Sequence, residues 1–172
     1  PPVDLRTLGN VTFHCSPAAS ANADGSFTVG AVTATASFRF AKYLTEWFKL
    51  SGVKIIMGKG GMSEADYRKY FVPNKAVYLT TVGYGTGALL GRGITRVKDV
   101  LWLKELGVAQ AIWVLEVKDF GPFLVESDLQ GNSLFERENR KTGAQVAEAF
   151  RGLKEPALKR YGETTSREDE VV

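Results

Sequence analysis

The chain has one cysteine, Cys15, and one histidine, His14, among its 172 residues. A single cysteine excludes a disulfide within the chain. No run of about eighteen apolar residues is present, so no segment has the length of a membrane-spanning helix. The lysines and arginines form no dense block and do not alternate with aromatic residues, so a nucleic-acid partner fits poorly. With no signal peptide visible, the expected location is the cytoplasm.

The composition is that of an ordinary globular domain. Hydrophobic residues make up 44% of the chain and charged residues 24%. A chain of 172 residues with this composition can bury a sizeable core in one domain. The formal net charge of +3 is mild and suits a small acidic ligand.

The strongest local pattern predicts a helix that begins near Thr35. Apolar residues recur after it at helical spacing, and a glycine follows where a helix would stop: Phe40, Leu44, Trp47, Phe48 and Gly52. We expect Thr35 or Ser37 to cap the first turn. The other N–H groups of a capped turn, together with the helix dipole, favour the binding of an anion.

Two cationic side chains are predicted to reach the same place. Arg39 follows Thr35 by four residues and so shares its face of the predicted helix. Residues 53–57 fit a buried strand, and Lys59 follows at its carboxyl end, where open α/β sheets bind ligands. Two fixed cations beside a helix start suit a small carboxylate. A capping threonine, a solvated arginine and a turn lysine are also common in helix–strand units, so a purely structural role stays open.

Two glycine-rich segments resemble nucleotide-binding loops without matching them. In residues 52–60, five residues instead of four precede the Gly-Lys pair, and Gly60 stands where Ser or Thr would bind magnesium. Residues 83–88 follow a predicted strand as a dinucleotide-binding turn does, but Gly91 and Gly93 interrupt the helix that should come next. We therefore expect neither a nucleoside triphosphate site nor a dinucleotide site.

Strands and helices alternate along the rest of the chain. Predicted strands cover residues 9–15, 27–32, 53–57, 76–82, 94–100, 111–117 and 122–125, with Ser16-Pro17 ending the first and a loop over 18–25. Further predicted helices cover residues 63–71, 134–150 and 153–161. His14 and Cys15 are neighbours in a strand, so their side chains point to opposite faces and structural roles are expected.

This pattern predicts a single α/β domain with a C-terminal helical tail. We expect a catalytic domain over residues 1–136 and a charged tail over residues 137–172, whose end is mobile. Basic residues of the tail form a solvated face or a subunit contact: Arg137, Arg140, Lys141 and Arg151.

Six segments carry a resemblance to a known family: Val11-Thr-Phe-His-Cys15, Thr35-Ala-Ser-Phe-Arg39, Ile56-Met-Gly-Lys-Gly60, Glu105-Leu-Gly-Val-Ala-Gln-Ala-Ile-Trp113, Glu116-Val-Lys-Asp-Phe120 and Asp128-Leu-Gln-Gly-Asn132. Through them, residues 9–135 resemble the C-terminal domain of class I iron–sulfur fumarases. They are equally similar to the small (beta) subunit of two-chain fumarases and L(+)-tartrate dehydratases. The resemblance implies the swivelling β/β/α fold.

The resemblance also implies a site and a reaction. The family's catalytic residues fall on Thr35, which would transfer the carbon-bound proton, and on Lys59. Its substrate-binding residues fall on Arg39, Lys59 and Gly60. The implied reaction is the reversible hydration of fumarate to L-malate by a hydro-lyase. Dehydration of L(+)-tartrate to oxaloacetate is one alternative, and a non-catalytic anion-binding or assembly subunit is another.

The family's 4Fe-4S cluster implies a partner chain. Such a cluster needs three or four cysteine thiolates and this chain has one, so we expect an alpha subunit to carry it within a hetero-oligomer. We expect no metal on this chain. Two departures from the family pattern stand out. Thr33-Ala-Thr-Ala36 replaces its Gly-Pro-Thr-Thr, and its upstream Arg-Asp-x-x-His segment has no match here.

Overall fold

A computed structural model of the chain describes residues 3–83 and 85–153. By its internal contacts the chain divides into two compact units, Pro1–Arg137 and Glu138–Val172. The helix predicted over 153–161 and the polar end after it lie, apart from Leu153, outside the described residues. No helix within the described ranges is long and apolar enough to cross a membrane.

The structure confirms the predicted α/β class with a C-terminal helix. Its strands are β1 (Val11–Phe13), β2 (Cys15–Ala21), β3 (Phe27–Ala34), β4 (Ile55–Gly58), β5 (Val77–Thr81), β6 (Ile94–Leu101), β7 (Ile112–Val117) and β8 (Phe123–Ser127). Its α-helices are α1 (Leu44–Ser51), α2 (Glu64–Asp66), α3 (Thr86–Arg92), α4 (Leu103–Leu106) and α5 (Leu134–Ala149). Short 3-10 turns cover Leu5–Thr7, Ser37–Tyr43 and Val72–Asn74, and a π-helical turn covers Tyr67–Phe71.

A four-stranded sheet in the order β1-β4-β5-β8 supports the first unit. Its first three strands are parallel, and β8 runs antiparallel to β5. Two antiparallel pairs, β2 with β3 and β6 with β7, complete the strand pairing of the described residues. Because β1, β4 and β5 are parallel, the segments that follow them start from the same edge of the sheet.

The core lies on one face of this sheet and is rich in aromatic rings. Phe71 meets Phe48 edge-on at 5.2 Å and Tyr67 edge-on at 5.3 Å between ring centroids. Tyr78 of β5 is fully buried against the same rings. Edge-to-face aromatic pairs contribute about 0.5–1.5 kcal/mol each beyond the area that they bury. The buried tyrosines also bring hydroxyl groups into the core, where each needs a hydrogen-bond partner.

The first predicted strand boundary is wrong. We expected Ser16-Pro17 to end a strand and residues 18–25 to form a loop, but β2 continues through Pro17, which pairs with Val32, as far as Ala21. Within the described chain β2 pairs only with β3, so one of its edges carries no ladder. A proline, which has no N–H to donate, is tolerated in such an edge strand.

The predicted helix after Thr35 is also built differently. A 3-10 turn over Ser37–Tyr43 comes first, and only then does α1 begin. Its predicted stop at Gly52 is confirmed, because that residue is left-handed (φ 66°) and donates its N–H to the Phe48 carbonyl at 2.9 Å.

Candidate functional site

Thr35 and Lys59 lie side by side where the chain leaves β3 and β4. The Lys59 N–H donates to the Thr35 carbonyl at 3.1 Å, and the Ser37 N–H donates to the Lys59 carbonyl at 3.4 Å. Ala36, which lies between Thr35 and Ser37 in the sequence, forms an isolated parallel bridge with Lys59. The structure therefore brings together two of the predicted site residues, which are 24 positions apart in the sequence.

A third segment fixes the other side of Thr35. Its N–H donates to the His14 carbonyl at 2.7 Å, and the His14 N–H donates to the Met57 carbonyl at 2.8 Å. The backbone of Thr35 is thus held from both sides, by the end of β1 and by the end of β4. This arrangement fixes the backbone without using the Thr35 hydroxyl, which makes no hydrogen bond with the described residues.

The Ser37 side chain is buried under this crossing and connects it to the core. The Tyr78 hydroxyl donates to Ser37 Oγ at 2.7 Å. Ser37 Oγ also lies 2.8 Å from His14 Nδ1, so the serine hydroxyl donates there when that nitrogen is unprotonated. A hydrogen-bonded chain therefore runs from Tyr78 in the core through Ser37 to His14.

Burial sets the charge state of two groups beside the site. Burial lowers the pKa of His14 to about 4, so the imidazole is neutral near pH 7 and can accept from Ser37. Burial raises the pKa of the Cys15 thiol to about 12, so the sulfur stays a protonated, weakly nucleophilic group. Both results agree with the structural roles predicted for these residues.

Gly58 is the residue that makes room for this network. A Cβ atom on Gly58 would collide with the Ser37 and Tyr78 hydroxyls and would lie 3.3 Å from the Thr35 carbonyl oxygen. No side chain other than hydrogen fits between those groups. The glycine immediately before Lys59 is therefore required by the packing of polar atoms.

Gly60, on the other side of Lys59, is placed differently. It is exposed, has a left-handed backbone (φ 79°), and donates its N–H to Thr80 Oγ1 at 3.2 Å. Thr80 is almost fully buried in β5, so the turn is attached to the sheet. Lys59 thus stands between two fixed glycines while its own side chain extends into solvent.

The two cations of the predicted site are both exposed. Neither Arg39 nor Lys59 forms an ion pair or a side-chain hydrogen bond within the part of the chain that the structure describes. Thr35 is half-buried beside Lys59. The exposed Lys59 ammonium has no internal partner within the described residues and can bind an anionic group, while its backbone is joined to that of Thr35.

The reason we gave for placing Arg39 is wrong. The shared-face argument needs α-helical geometry, but Arg39 lies in a 3-10 turn, where residues three apart, not four apart, stack. The capping prediction also fails, since the N-cap is Ala36, with no side-chain bond, and the Ser37 hydroxyl points into the core. A seven-residue 3-10 turn does not provide the predicted dipole site either.

The second glycine-rich segment packs a helix against a strand. A Cβ atom on Gly87 would lie 2.9 Å from the Val32 carbonyl oxygen, and one on Gly91 would collide with the Gly30 carbonyl. The glycines of α3 therefore allow its backbone to approach β3. This contact explains their spacing without a nucleotide.

Sequence reasoning missed Tyr78, Thr80 and Glu126 as parts of the site's support. Tyr78 and Thr80 share one face of β5, and both are almost fully buried although polar. Two polar residues at period two within an apolar strand were a usable signal. Glu126 gave no such signal, because it lies between Val125 and Ser127 at the end of a strand.

The described residues offer no ligand set for a metal cluster. Within residues 3–83 and 85–153, no group of three or more His, Cys, Asp and Glu side chains is placed to hold a metal ion. Cys15 is a free, largely buried thiol. Iron–sulfur clusters require several thiolates, so these residues do not fit one.

Comparison with known proteins shows which family the chain resembles. Residues 1–138 match the family described as Fumarase C-terminus. A Methanocaldococcus jannaschii protein provisionally named L(+)-tartrate dehydratase subunit beta is 36% identical over 147 residues, which are 86% of this chain and 73% of that protein. The L(+)-tartrate dehydratase subunit beta of Escherichia coli K12 is 33% identical over 147 residues, 84% of this chain and 68% of that protein.

A longer relative contains the same segment as one part of its chain. A Geobacillus stearothermophilus protein provisionally named fumarate hydratase class I is 36% identical over 135 residues, which are 78% of this chain but only 25% of that protein. The matched segment thus occurs both in separate beta subunits and inside a larger chain. This chain belongs to the fumarase C-terminus family.

Proposed function

We propose that this chain is the small (beta) subunit of a hydro-lyase that reversibly hydrates fumarate to L-malate. The observation that carries the proposal is the crossing of Thr35 and Lys59, in which a half-buried hydroxyl and an exposed, unpaired ammonium share one rigid backbone. The family membership supplies the reaction class. The joined backbones of Thr35 and Lys59 support the assignment of these two residues to the site.

Each residue has a chemical task in this proposal. Lys59 and Arg39 bind the two carboxylates of the substrate, and the Gly60 backbone lines the same position. Thr35 Oγ1 takes the proton from the carbon next to the hydroxyl-bearing carbon in dehydration and returns it in hydration. A threonine hydroxyl is a weak base, so its alkoxide needs a nearby cation and a site closed to water. We assign that role to Lys59, whose backbone is hydrogen-bonded to that of Thr35.

The remaining half of the site is assigned to a partner. The name "subunit beta" of the relatives implies that they act with another subunit. We propose that an alpha subunit carries a 4Fe-4S cluster and acts on the substrate hydroxyl, because the described residues of this chain do not fit such a cluster. The enzyme is then a hetero-oligomer whose site is complete only at the subunit contact.

Dehydration of L(+)-tartrate to oxaloacetate is the second candidate. The names of two relatives that match over most of their length favour it. Tartrate has a hydroxyl on both central carbons, so the same proton transfer by Thr35 and the same carboxylate contacts would serve it. The residues described above do not discriminate between these two substrates.

Reconstitution tests the proposal. The purified chain should be colourless and inactive alone, and it should gain activity when mixed without oxygen with a cluster-bearing partner subunit. Rates with fumarate, L-malate and L(+)-tartrate would then identify the substrate. An iron–sulfur absorption band from this chain alone, or turnover without the partner, would contradict the assignment. A stable complex that turns over none of the three would show a non-catalytic assembly role.

A further inference from the structure

A buried carboxyl group lies directly behind the turn that follows Lys59. Glu126, at the end of β8, is 1% exposed. A Cβ atom on Gly61 would lie 3.1 Å from its Oε1 and 3.2 Å from its Cδ, so the carboxyl packs against the glycine backbone. Gly61 has a left-handed backbone (φ 77°), as Gly60 does. The shape of this turn therefore depends on what occupies the space behind it.

Tyr67 joins the carboxyl to the turn. The Met62 N–H donates to the Tyr67 hydroxyl at 2.8 Å. Having accepted that bond, the Tyr67 hydroxyl has its own hydrogen to donate, and the Glu126 carboxyl lies beside it, since a Cβ atom on Gly61 would be 3.0 Å from the Tyr67 hydroxyl and 3.1 Å from Glu126 Oε1. On the far side, Ser133 Oγ donates to Glu126 Oε1 at 2.7 Å and accepts the Glu136 N–H at 3.1 Å. The turn is thus tied to the start of α5.

The other carboxyl oxygen, Oε2, is buried and makes no hydrogen bond with the described residues. Among the described residues, the groups that act on Glu126 are the Phe135 N–H, the Ser133 hydroxyl and the titratable side chains of Tyr67, Tyr78 and Glu136, and none of them is a cation. A buried carboxylate anion with an unpaired oxygen and no counter-ion is strongly unfavourable, whereas a neutral acid in the same place is tolerated.

We propose that Glu126 is a positioning residue that works as a neutral carboxylic acid and, through Tyr67, holds the turn over residues 60–62 in the shape that presents Lys59. The proposal rests on the function proposed above, because Lys59 is the residue being presented. Its protonation part concerns the folded chain alone. Burial raises the pKa of this carboxyl, which agrees with the geometry.

The pH dependence of unfolding tests the neutral state without any activity assay. As pH rises above about 4.5, the carboxyl ionises in the unfolded chain while it stays protonated in the folded one, so the stability that Glu126 contributes to wild type is lost. Glu126→Gln removes this titration and should gain stability relative to wild type as pH rises toward neutral. Glu116→Gln, which removes an exposed carboxylate of β7, is the matched control. If the stability that Glu126→Gln gains over wild type does not change with pH, or decreases as pH rises, Glu126 is not a neutral acid in the folded chain.

Activity of the reconstituted enzyme tests the positioning. At a temperature where circular dichroism shows each variant folded, Glu126→Ala should lower kcat/KM about tenfold, and Glu126→Gln should restore most of it. Tyr67→Phe keeps the ring and should lose activity as Glu126→Ala does. If Glu126→Ala is folded and fully active while Lys59→Met is inactive, the positioning role is wrong and the proposed function stands. If no variant is active with any partner, the proposed function fails and the unfolding experiment still decides the state of Glu126.

Discussion

Two glycine-rich segments follow neighbouring parallel strands of one sheet, and they use glycine for different purposes. At the end of β4, Gly58 leaves space for the hydroxyl groups of Ser37 and Tyr78. After β5, Gly87 and Gly91 leave space for the backbone of β3. The first segment is surrounded by buried polar side chains and the second by backbone. Polar atoms that are buried and mutually hydrogen-bonded distinguish the candidate site from a packing contact.

Charge alone would not have separated the two segments. Lys59 in the first and Arg92 in the second are both exposed cations that follow a glycine. The Lys59 backbone is hydrogen-bonded to another segment of the chain, at Thr35 and Ser37, whereas Arg92 lies at the end of helix α3. An anion bound to Lys59 therefore meets a fixed geometry, and preorganisation of this kind is what catalysis requires.

The largest expected effect is the loss of the Lys59 ammonium. Lys59→Met should leave the fold almost unchanged and lower kcat/KM of the reconstituted enzyme by about thirty- to a thousandfold, or roughly 2–4 kcal/mol. Arg92→Met, the equivalent change in the second segment, should change the rate by less than about twofold. Steady-state rates of both variants check this. Near wild-type turnover by Lys59→Met would make Lys59 an ordinary turn residue.

A methyl group added at Gly58 should have a different effect from one added at Gly87 in the second segment. Gly58→Ala forces apart the Ser37 and Tyr78 hydroxyls and should cost about 1–3 kcal/mol of unfolding free energy. Gly87→Ala pushes against the Val32 carbonyl and should destabilise the fold comparably. Of the two, only Gly58→Ala should also lower the activity of the folded enzyme. Equal activity in both variants would show that the buried network does not support the site.

Acid should destabilise the hydrogen-bonded network of the first segment, which contains His14, and should not affect the packing of the second segment. The His14 pKa is about 4 in the folded chain and 6.5 as the ordinary value, so the stability that His14 contributes should fall as pH drops from 6.5 toward 4. The full shift corresponds to about 3 kcal/mol, and because the ring is only half-buried we expect about 1–2 kcal/mol. The backbone packing of α3 on β3 contains no titrating group.

His14 is the only histidine of the chain, so its titration can be followed directly by NMR. His14→Gln removes the His14 contribution, so the variant should gain stability relative to wild type as pH drops from 6.5 to 4. A histidine signal that titrates near pH 6.5 in the folded chain would contradict the buried, neutral imidazole.

The sequence predicted most strands and α5 because their apolar periodicity is local. It failed at Pro17, since only the pairing of β2 shows that the proline lies on a free edge. It failed again at the turn before α1, where capping residues are present but Ser37 bonds into the core instead. Local preference gave way in both places to contacts made elsewhere in the fold.

The candidate site was likewise predicted in part. The resemblance identified Thr35, Lys59, Arg39 and Gly60 as site residues, and the structure shows two of them joined through the backbone. The hydrogen bonds among the supporting residues could not be read from the sequence, because Ser37 is 23 positions from His14 and 41 from Tyr78. Hydrogen bonds over such separations depend on the parallel order of β1, β4 and β5, which no local pattern encodes.

The most direct test of the account is whether Thr35 moves the substrate's carbon-bound proton. Thr35→Val keeps the side-chain shape and the backbone bonds to His14 and Lys59, so the variant should fold as wild type does. Exchange of that proton with deuterated water, measured by NMR in the reconstituted enzyme, should fall by about a hundredfold or more in Thr35→Val, while Thr35→Ser keeps part of it. Exchange at the wild-type rate in folded Thr35→Val would show that Thr35 is not the base.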